Sequence, residues 1–369
     1  MTSDSERLPG PFSSQSRLPV EYVVPLKWDS DDELADLTDY LHRLADWMDV
    51  TVVDGSRREL FDDHQRLWHP TIRHIAPDPW PGRNGKVAGV VTGVRAARHP
   101  RVVIADDDVR WEADALRRAA QLLDHSDLIR PQNYFSALPW HARWDTSRTL
   151  VNRAFGSDYP GTYVLRRDTF LRMGGYDGDA MFENLEMART IRAVGGQELR
   201  VNDLFVARRP PTARHFLRQR IRQAYDSLAQ PARLLVEVAL LPGLVILGFA
   251  ARQRGGWRGL ALSLSAVAGL VVSTAEVGRR RDGGAAVFSA SAALWTPMWL
   301  LERAICVWVA LGCRLRGGVP YGDQRVLLAA HRLSTLRRRA RRVTPLEATE
   351  SPSSRAPSPR APSPRAPRP

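Results

Sequence analysis

The chain has 369 residues, 44% hydrophobic and 25% charged, which is enough for one sizeable domain with accessory parts. Its formal net charge is +13, and arginine carries almost all of the positive charge because lysine occurs only at Lys27 and Lys86. This balance is compatible with anionic lipids or phosphorylated ligands, whereas dispersed arginines without a stacking or helix-turn-helix pattern argue against a nucleic-acid partner. With two cysteines, Cys306 and Cys313, the chain has neither a disulfide framework nor a cysteine metal-binding spacing.

Short apolar runs alternate with helical stretches from residue 19 to residue 230, after a polar lead over 1–18. The first are "VEYVVPL", the amphipathic "DDELADLTDYLHRLADW" and "DVTVVDGS", a strand that ends near Asp54. Next come "TIRHIAP", the helical "GKVAGVVTGVRAAR" and "RVVIADDD". The alternation predicts a Rossmann-like α/β domain with a mainly parallel sheet, in which ligands gather at the carboxyl ends of strands.

One of these strand ends, in "VVIADDDVRW", carries three consecutive acids, Asp106, Asp107 and Asp108. Carboxylates in this position suit Mg²⁺ or Mn²⁺, which prefer oxygen ligands and usually keep substrate phosphates in their coordination shell. The alternative is that Asp108 caps a helix that begins near Trp111. The triplet alone leaves both interpretations open.

The composition changes at about Pro231, and three apolar segments follow within 231–313, namely 233–251, 257–278 and 284–313. A bilayer span needs about 20 apolar residues. Because short Arg-rich loops separate the segments, they indicate a membrane region of two to three helices more than a set of buried core helices.

The charges that flank this region bear on its topology. The N-terminus has no signal-peptide core, which predicts that the chain starts in the cytoplasm. Together with the apolar segments, this predicts a multi-pass protein of the bacterial plasma membrane whose N-terminal domain is cytoplasmic. Three spans would place the basic juxtamembrane segment, 314–344, outside, against the positive-inside tendency. We therefore expect the second half of 284–313 to lie in the interface or to re-enter. The Pro/Ser/Arg repeat over 345–369 predicts a disordered tail.

The order of elements from about residue 20 to residue 230 resembles glycosyltransferase family 2, whose fold is GT-A. Six stretches carry the resemblance in sequence order: "VVPLKW", "VVDGS", "NGKVAGVVTGVRAA", "VVIADDDVRW", "YVLRRDTFLRMGGYDGDAMFENLEMARTIRAVGG" and "RQRIRQAYD". Membrane segments follow, as in many members. The resemblance implies a GT-A domain followed by C-terminal transmembrane helices, and a hexosyltransferase that uses a nucleoside-diphosphate sugar.

The resemblance also implies roles on the donor side. Asp54 would contact the nucleoside, and Lys86 would face the phosphates or the sugar. Asp108 would hold a divalent cation, Mg²⁺ or Mn²⁺, against the diphosphate, with Asp106 near the ribose or the metal. The cation would neutralise the charge that develops on the leaving nucleotide. The structural alternatives are a turn aspartate for Asp54 and a solvated helix residue for Lys86.

The general base departs from the family pattern. The expected Glu-Asp pair reads Glu183-Asn184 here, and an amide cannot accept the proton of an acceptor hydroxyl. Glu183 and Glu186 are three apart and are expected on one helix face, so Glu183 is the first candidate and Glu186 the second. The alternatives are a helix-start charge for Glu183, an ion pair with Arg189 for Glu186, a base from Asp177 or Asp179, and a lost activity.

The Gln-x-x-Arg part of the last stretch survives as Gln219 and Arg222, on the acceptor or diphosphate side, but the family's Trp is Gln223. In processive family members that Trp stacks on the acceptor sugar, so its absence favours transfer of a single sugar. A cluster of arginines around this stretch could also bind lipid headgroups. Its members are Arg214, Arg218, Arg220 and Arg222.

Together these features predict an inverting, metal-dependent enzyme that moves one sugar to a lipid or lipid-linked acceptor. The alternative is a catalytically silent, membrane-anchored protein that binds a nucleotide sugar, an interpretation that rests on Asn184.

Overall fold

The structure is a computed structural model that describes residues 17–321 and 324–347. The predicted lead over 1–18 and the predicted tail over 345–369 therefore lie almost wholly outside the described residues.

An eight-stranded sheet forms the centre of the domain, in the order β3-β2-β1-β4-β7-β6-β8-β5. The strands are β1 (Val20–Leu26), β2 (Asp49–Asp54), β3 (Arg73–Ile75), β4 (Arg101–Ala105), β5 (Val109–Arg110), β6 (Leu128–Phe135), β7 (Thr162–Arg166) and β8 (Glu198–Arg208). The first four run parallel, β7 is antiparallel to β4 and β6, β8 is parallel to β6, and β5 is antiparallel to β8. The predicted α/β class with a mainly parallel sheet is confirmed.

Helices cover both faces of this sheet, so its central strands are apolar on both sides. They are α1 (Leu34–Ala45), α2 (Arg58–Trp68), α3 (Gly85–Ala96), α4 (Ala113–Leu122), α5 (Trp140–Phe155), α6 (Arg167–Arg172), α7 (Glu183–Ala193) and α8 (Ala213–Tyr225). Strand β1 shows the division, because Tyr22 and Val24 belong to one buried cluster and Val23 to the cluster on the opposite face.

Two glycines let α3 lie directly on the carboxyl half of β1. A Cβ on Gly93 would come within 2.3 Å of Val23 Cγ1, and one on Gly89 within 2.9 Å of Pro25 Cβ. This close approach fixes the first turn of α3, with Lys86, beside the carboxyl ends of β1 and β4.

A long apolar helix, α9 (Pro231–Arg280), follows the domain and is broken at Gly256, whose φ of 59° and ψ of −146° are not helical. Both of its ends contact α5. Arg233 donates to Asn152 Oδ1 at 3.1 Å, and Arg153 Nε donates to the Gly278 carbonyl at 3.1 Å. Helix α9 is therefore a hairpin of two helices that leaves the domain and returns to it.

One helical stretch of the described residues, Pro231–Ala286, is long and apolar enough to cross a membrane by length and composition. The third predicted segment, 284–313, does not form a free apolar helix of this kind. It contains α10 (Ala290–Ala293) and most of α11 (Thr296–Leu315), and α11 packs against α8 and α9 with Arg303 and Val307 buried.

The chain then returns to the α/β domain. The hairpin of β9 (Val319–Tyr321) and β10 (Gln324–Val326) leads to α12 (Leu333–Ala340), which packs on α7. Backbone N–H groups of Met181 and Phe182 donate to the carbonyls of Leu328 and Ala329 at 2.9 and 2.8 Å. Much of the predicted juxtamembrane segment 314–344 is thus part of the domain surface.

Candidate active site

A cleft with a cavity of about 580 Å³ lies at the carboxyl ends of β1 and β2 and at the start of α3. Its walls come from distant parts of the chain, because each parallel strand ends at the same edge of the sheet. The polar and aromatic lining groups include Lys86, Asp106, Asp107, Trp80 and Tyr321.

Lys86 joins two acids in this cleft. Its Nζ lies 2.6 Å from Asp106 Oδ1 and 2.6 Å from Glu183 Oε1, so a residue after β4 and the first residue of α7 share one ammonium. Burial alone lowers the pKa of Lys86, but Asp106 and Glu183 outweigh this and hold that pKa well above its ordinary value. Asn84 fixes the first turn of α3, since its Oδ1 accepts from Lys86 N at 3.2 Å.

Asp108 is clamped by Arg208, the last residue of β8. Arg208 donates from Nε and Nη2 to Asp108 Oδ2 at 2.9 and 2.7 Å, and from Nε to Oδ1 at 3.1 Å. Burial raises the pKa of Asp108 and Arg208 opposes that rise. The helix-cap interpretation of Asp108 is wrong, because α4 begins at Ala113 with Glu112 in the cap position. No signal in the sequence pointed to Arg208.

The middle acid has a different partner. Asp107 Oδ2 accepts from Trp28 Nε1 at 2.5 Å, and burial raises the pKa of Asp107. The three adjacent carboxylates therefore have different nearest partners, namely an ammonium, an indole N–H and a guanidinium.

The donor set at Asp106 and Asp108 fits a hard divalent cation, which prefers carboxylate oxygens. Asp106 Oδ2 lies 3.7 Å from Arg208 Nη2, which already holds Asp108. Gly161 leaves this corner open, because a Cβ there would come within 2.5 Å of Asp106 Oδ2. A cation at this site would compete with Arg208 for Asp108.

Glu183 is the acid of α7 that lies beside the cleft. Its Oε1 is held by Lys86, and its buried Oε2 has no hydrogen-bond partner among the described residues. Burial raises the pKa of Glu183, while Lys86 lowers it. Asn184, where the family has its aspartate, donates instead to the carbonyl of Pro160 at 3.2 Å.

Glu186, the second candidate base, has a structural environment. Its side chain is fully buried, and its oxygens accept from the backbone N–H of His331 at 2.7 Å and bond His331 Nδ1 at 2.8 Å. The alternative ion pair with Arg189 is also not formed, because Arg189 donates to the carbonyls of His331 and Ala229. Glu186 thus fastens the returning C-terminal segment to α7.

Asp54 ends β2, as predicted, but its side chain is fully buried. Its Oδ1 accepts from Ser56 N at 2.8 Å, and its Oδ2 bonds His64 Nδ1 at 2.6 Å and His74 Nε2 at 3.1 Å. Burial alone raises the pKa of Asp54, but these partners lower it well below its usual range. The carboxylate is not available to a nucleoside in this arrangement, and Gly55 is the residue of this turn that lines the cleft.

Arg222, predicted on the acceptor or diphosphate side, has its guanidinium 4.8 Å from the centre of the Tyr321 ring, and the Tyr321 hydroxyl donates to Asn84 Oδ1 at 3.1 Å. Arg222 therefore contacts a side chain of the cleft wall. Gln219, three residues earlier, hydrogen-bonds with His215 and is not among the residues that line the cleft.

Arg220 does not belong to the predicted lipid-facing cluster. It is buried, with its Nη1 at 3.2 Å from Asp145 and 3.5 Å from Glu302. Arg214 and Arg218 are exposed.

Residues 49–226 match the family model described as "Glycosyltransferase like family 2". A search of curated proteins finds no match. Among solved structures, a mannosyltransferase from Pyrobaculum calidifontis in complex with GDP-Man and Mn2+ is 20% identical, with a TM-score of 0.46 over 79% of this chain and 88% of that chain. A mycobacterial protein is 15% identical, with a TM-score of 0.38 over 56% of this chain and 72% of that one. The mannosyl-3-phosphoglycerate synthase of Rubrobacter xylanophilus is 11% identical, with a TM-score of 0.37 over 55% of this chain and 70% of that one.

The range matched by the family model contains the acid cluster, Lys86, Glu183 and Arg208. Much of the cleft therefore comes from the stretch that matches this family model. The protein is a nucleotide-sugar-dependent glycosyltransferase.

Proposed function

We propose that this glycosyltransferase transfers a single sugar from a nucleoside-diphosphate sugar to a lipid or lipid-linked acceptor at the membrane, with inversion and with a divalent cation. The observation that carries the proposal is the Lys86 bridge, in which one ammonium lies 2.6 Å from both Asp106 and Glu183. It brings the acid of the donor side and the candidate base of the acceptor side into one cleft.

On the donor side, Asp106 and Asp108 would hold the cation, which when bound neutralises charge on the leaving diphosphate. Lys86 and Arg208 are the cations that the chain itself supplies. A bound diphosphate competes with the acids for both of them, because phosphate oxygens accept the same charge-assisted hydrogen bonds. Each cation is thus already in place when negative charge develops on the leaving group, which is the arrangement that stabilises a transition state.

On the acceptor side, Glu183 accepts the proton. The hydroxyl oxygen of the acceptor forms a bond to the anomeric carbon, and the bond from that carbon to the diphosphate oxygen breaks. The electron pair leaves with the nucleoside diphosphate, and the hydroxyl proton passes to Glu183. When a diphosphate draws Lys86 away, Glu183 loses the charge that lowers its pKa and becomes a stronger base.

A membrane location is supported by the hairpin α9. Its two arms, 231–255 and 257–280, are each long enough to cross the roughly 30 Å apolar layer at 1.5 Å per residue. Large apolar side chains face outward along both arms, among them Leu235, Val245, Ile246, Phe249, Leu262 and Leu270.

The contacts of the C-terminal segment support a particular topology for this proposal. Since both ends of the hairpin contact α5 and α12 packs on α7, the catalytic domain and the C-terminal segment lie on one side, which requires an even number of crossings. Helix α11 then lies along the interface, with exposed Leu301, Ile305 and Leu315 on its apolar side. A cytoplasmic domain with a two-span hairpin is the arrangement we propose for a bacterial plasma membrane.

The test is transfer of radiolabelled sugar from UDP- and GDP-linked donors in membranes that contain the full chain. We expect label in the organic phase, in a product with one added sugar. If the protein binds the donor but neither transfers the sugar nor hydrolyses the donor, it is instead a catalytically silent protein that binds a nucleotide sugar. The observation that favours this alternative is Asn184 at the position of the family's aspartate.

A further inference from the structure

A second cavity, of about 140 Å³, lies between the acid cluster and the membrane region, and we call it the junction cavity. Arg208, which clamps Asp108 of the cleft, lines it, and so do Arg233 at the root of the hairpin α9 and Arg303 of α11. Gln223 and Asp226 also line the junction cavity. The cavity thus connects residues of the donor site with the two elements that we place at the membrane.

Arg303 is the unusual residue of this cavity. It has no exposed surface, yet none of its three guanidinium nitrogens has a hydrogen-bond partner among the described residues. A guanidinium carries five N–H donors, and burying it without acceptors is costly. The nearest acid, Glu237, lies 3.9 Å away and already accepts from Arg233 at 2.8 Å.

The other groups on the wall are compatible with an anion. Gln223, where the family has its Trp, has a buried side-chain oxygen without a partner among the described residues, and an amide can turn its NH₂ toward an acceptor. Asp226 is an acid in the wall of this cavity, and burial raises its pKa to about 7. Near neutral pH a large fraction of Asp226 is therefore protonated and able to donate to a phosphate oxygen.

From the three unpartnered nitrogens of buried Arg303 in this cavity, we propose that the junction cavity binds the phosphate group of a lipid acceptor. A phosphate offers the planar guanidinium two parallel oxygens. Because Arg303 and Arg233 lie on α11 and at the root of α9, a lipid held here keeps its acyl chains beside the apolar surfaces of both elements. Arg208 at the other end places the headgroup next to the sugar donor. This inference rests on the proposed function and narrows the acceptor to a lipid that carries a phosphate.

The experiment uses the full chain in detergent and measures binding of dihexanoyl-phosphatidylglycerol, of uncharged dihexanoylglycerol and of inorganic phosphate. The variants are Arg303→Gln, Arg303→Lys and Arg316→Gln, the last being a matched control because Arg316 is exposed at the end of the same helix. Donor binding by each variant shows whether the catalytic domain is intact.

We expect Arg303→Gln to weaken phosphatidylglycerol binding roughly tenfold to hundredfold, with donor binding unchanged and Arg316→Gln equal to wild type. Arg303→Lys keeps the positive charge but loses the planar guanidinium, so its phosphatidylglycerol affinity should lie between those of wild type and Arg303→Gln. It also tests the proposal if Arg303→Gln does not fold. Dihexanoylglycerol should not bind.

Equal phosphatidylglycerol binding by wild type and Arg303→Lys or Arg303→Gln would overturn the proposal. So would Arg303-dependent binding of inorganic phosphate without binding of the lipid, because the source would then be free phosphate. Failure of the proposed function is a separate result, since it would leave Arg303-dependent lipid binding in a protein that transfers no sugar.

Discussion

The cleft and the hairpin α9 present opposite surfaces. In the cleft, the central charged groups already have partners, with Lys86 between Asp106 and Glu183 and Arg208 on Asp108. Along the hairpin, large apolar side chains are exposed and are not covered by the described parts of the chain, 17–321 and 324–347. A ligand of the cleft must therefore compete with existing ion pairs, whereas the hairpin is incomplete until something apolar covers it. The difference teaches that binding in the cleft is an exchange of polar partners, whereas a partner of the hairpin surface would be apolar.

The largest expected effect concerns the hairpin. Replacing Ile246 and Leu264, one on each arm and both exposed, by Asp should cost about 2.5–3.5 kcal/mol of insertion free energy for each residue at mid-bilayer. We expect the double variant to be extracted by carbonate while wild type stays with the membrane. Leu67→Asp, at an exposed apolar position of α2, is the control and should leave the fractionation unchanged. A double variant that resists extraction as well as wild type does would contradict the bilayer assignment.

Asp108→Asn should have the next largest effect, because it removes a charge from the proposed cation site and leaves Arg208 with only the more distant acid, Asp106 at 3.7 Å. We expect transfer to fall by roughly 10³-fold and the effect of Mn²⁺ on donor binding to disappear. Asp107→Asn is the matched control, since an amide oxygen can still accept from Trp28. Binding of UDP- and GDP-sugars is measured with Mn²⁺ and with EDTA. Equal affinity of wild type and Asp108→Asn under both conditions would remove the cation from the mechanism.

Glu183→Gln tests the base. It keeps the shape of the side chain and removes its proton affinity, so transfer should fall by roughly 10²-fold while the donor still binds. Glu186→Gln should be milder, because Glu186 contacts His331 and not the cleft. Asn184→Asp restores the family's pair, and retained or raised activity would place the start of α7 in the usual position for a base. If Glu183→Gln transfers sugar at the wild-type rate, Glu183 is not the base. Asp177 and Asp179 would then be the next acids to replace.

The sequence predicts what depends on local pattern. Alternating apolar runs predicted the sheet, the end of β4 placed the acid triplet at the sheet edge, and the start of α3 placed Lys86 nearby. The sheet and the position of the acids follow from periodicity and from a strand-end rule that acts over a few residues, whereas the role of Lys86 was implied by the family resemblance.

What the sequence could not predict depends on contacts between distant residues. Arg208 lies 100 residues after Asp108, and His331 lies 145 residues after Glu186. Arg208 does not stand out in the sequence because the chain has so many arginines. His331 does not stand out because it lies in a stretch of ordinary composition. Asp54 shows the same limit in reverse, because its position at a strand end suggested a ligand contact, while His64 and His74 enclose it.

The smallest expected effect is on the pH dependence, and it follows from the two opposing influences on Glu183. Burial raises its pKa above the ordinary value, and Lys86 lowers it. A base acts in its deprotonated form, so kcat/KM should fall as the pH drops through this raised pKa, beginning at a higher pH than for an exposed glutamate. In Lys86→Gln the lowering influence is gone, so the acid limb of the profile should move to higher pH.

Arg83→Gln, at another residue of the cleft wall, is the control and should leave the limb in place. Lys86→Gln also weakens donor binding, so the informative quantity is the position of the limb and not the height of the profile. If the limb has the same midpoint with and without Lys86, the group that titrates is not Glu183, because a carboxylate 2.6 Å from an ammonium must respond to its removal.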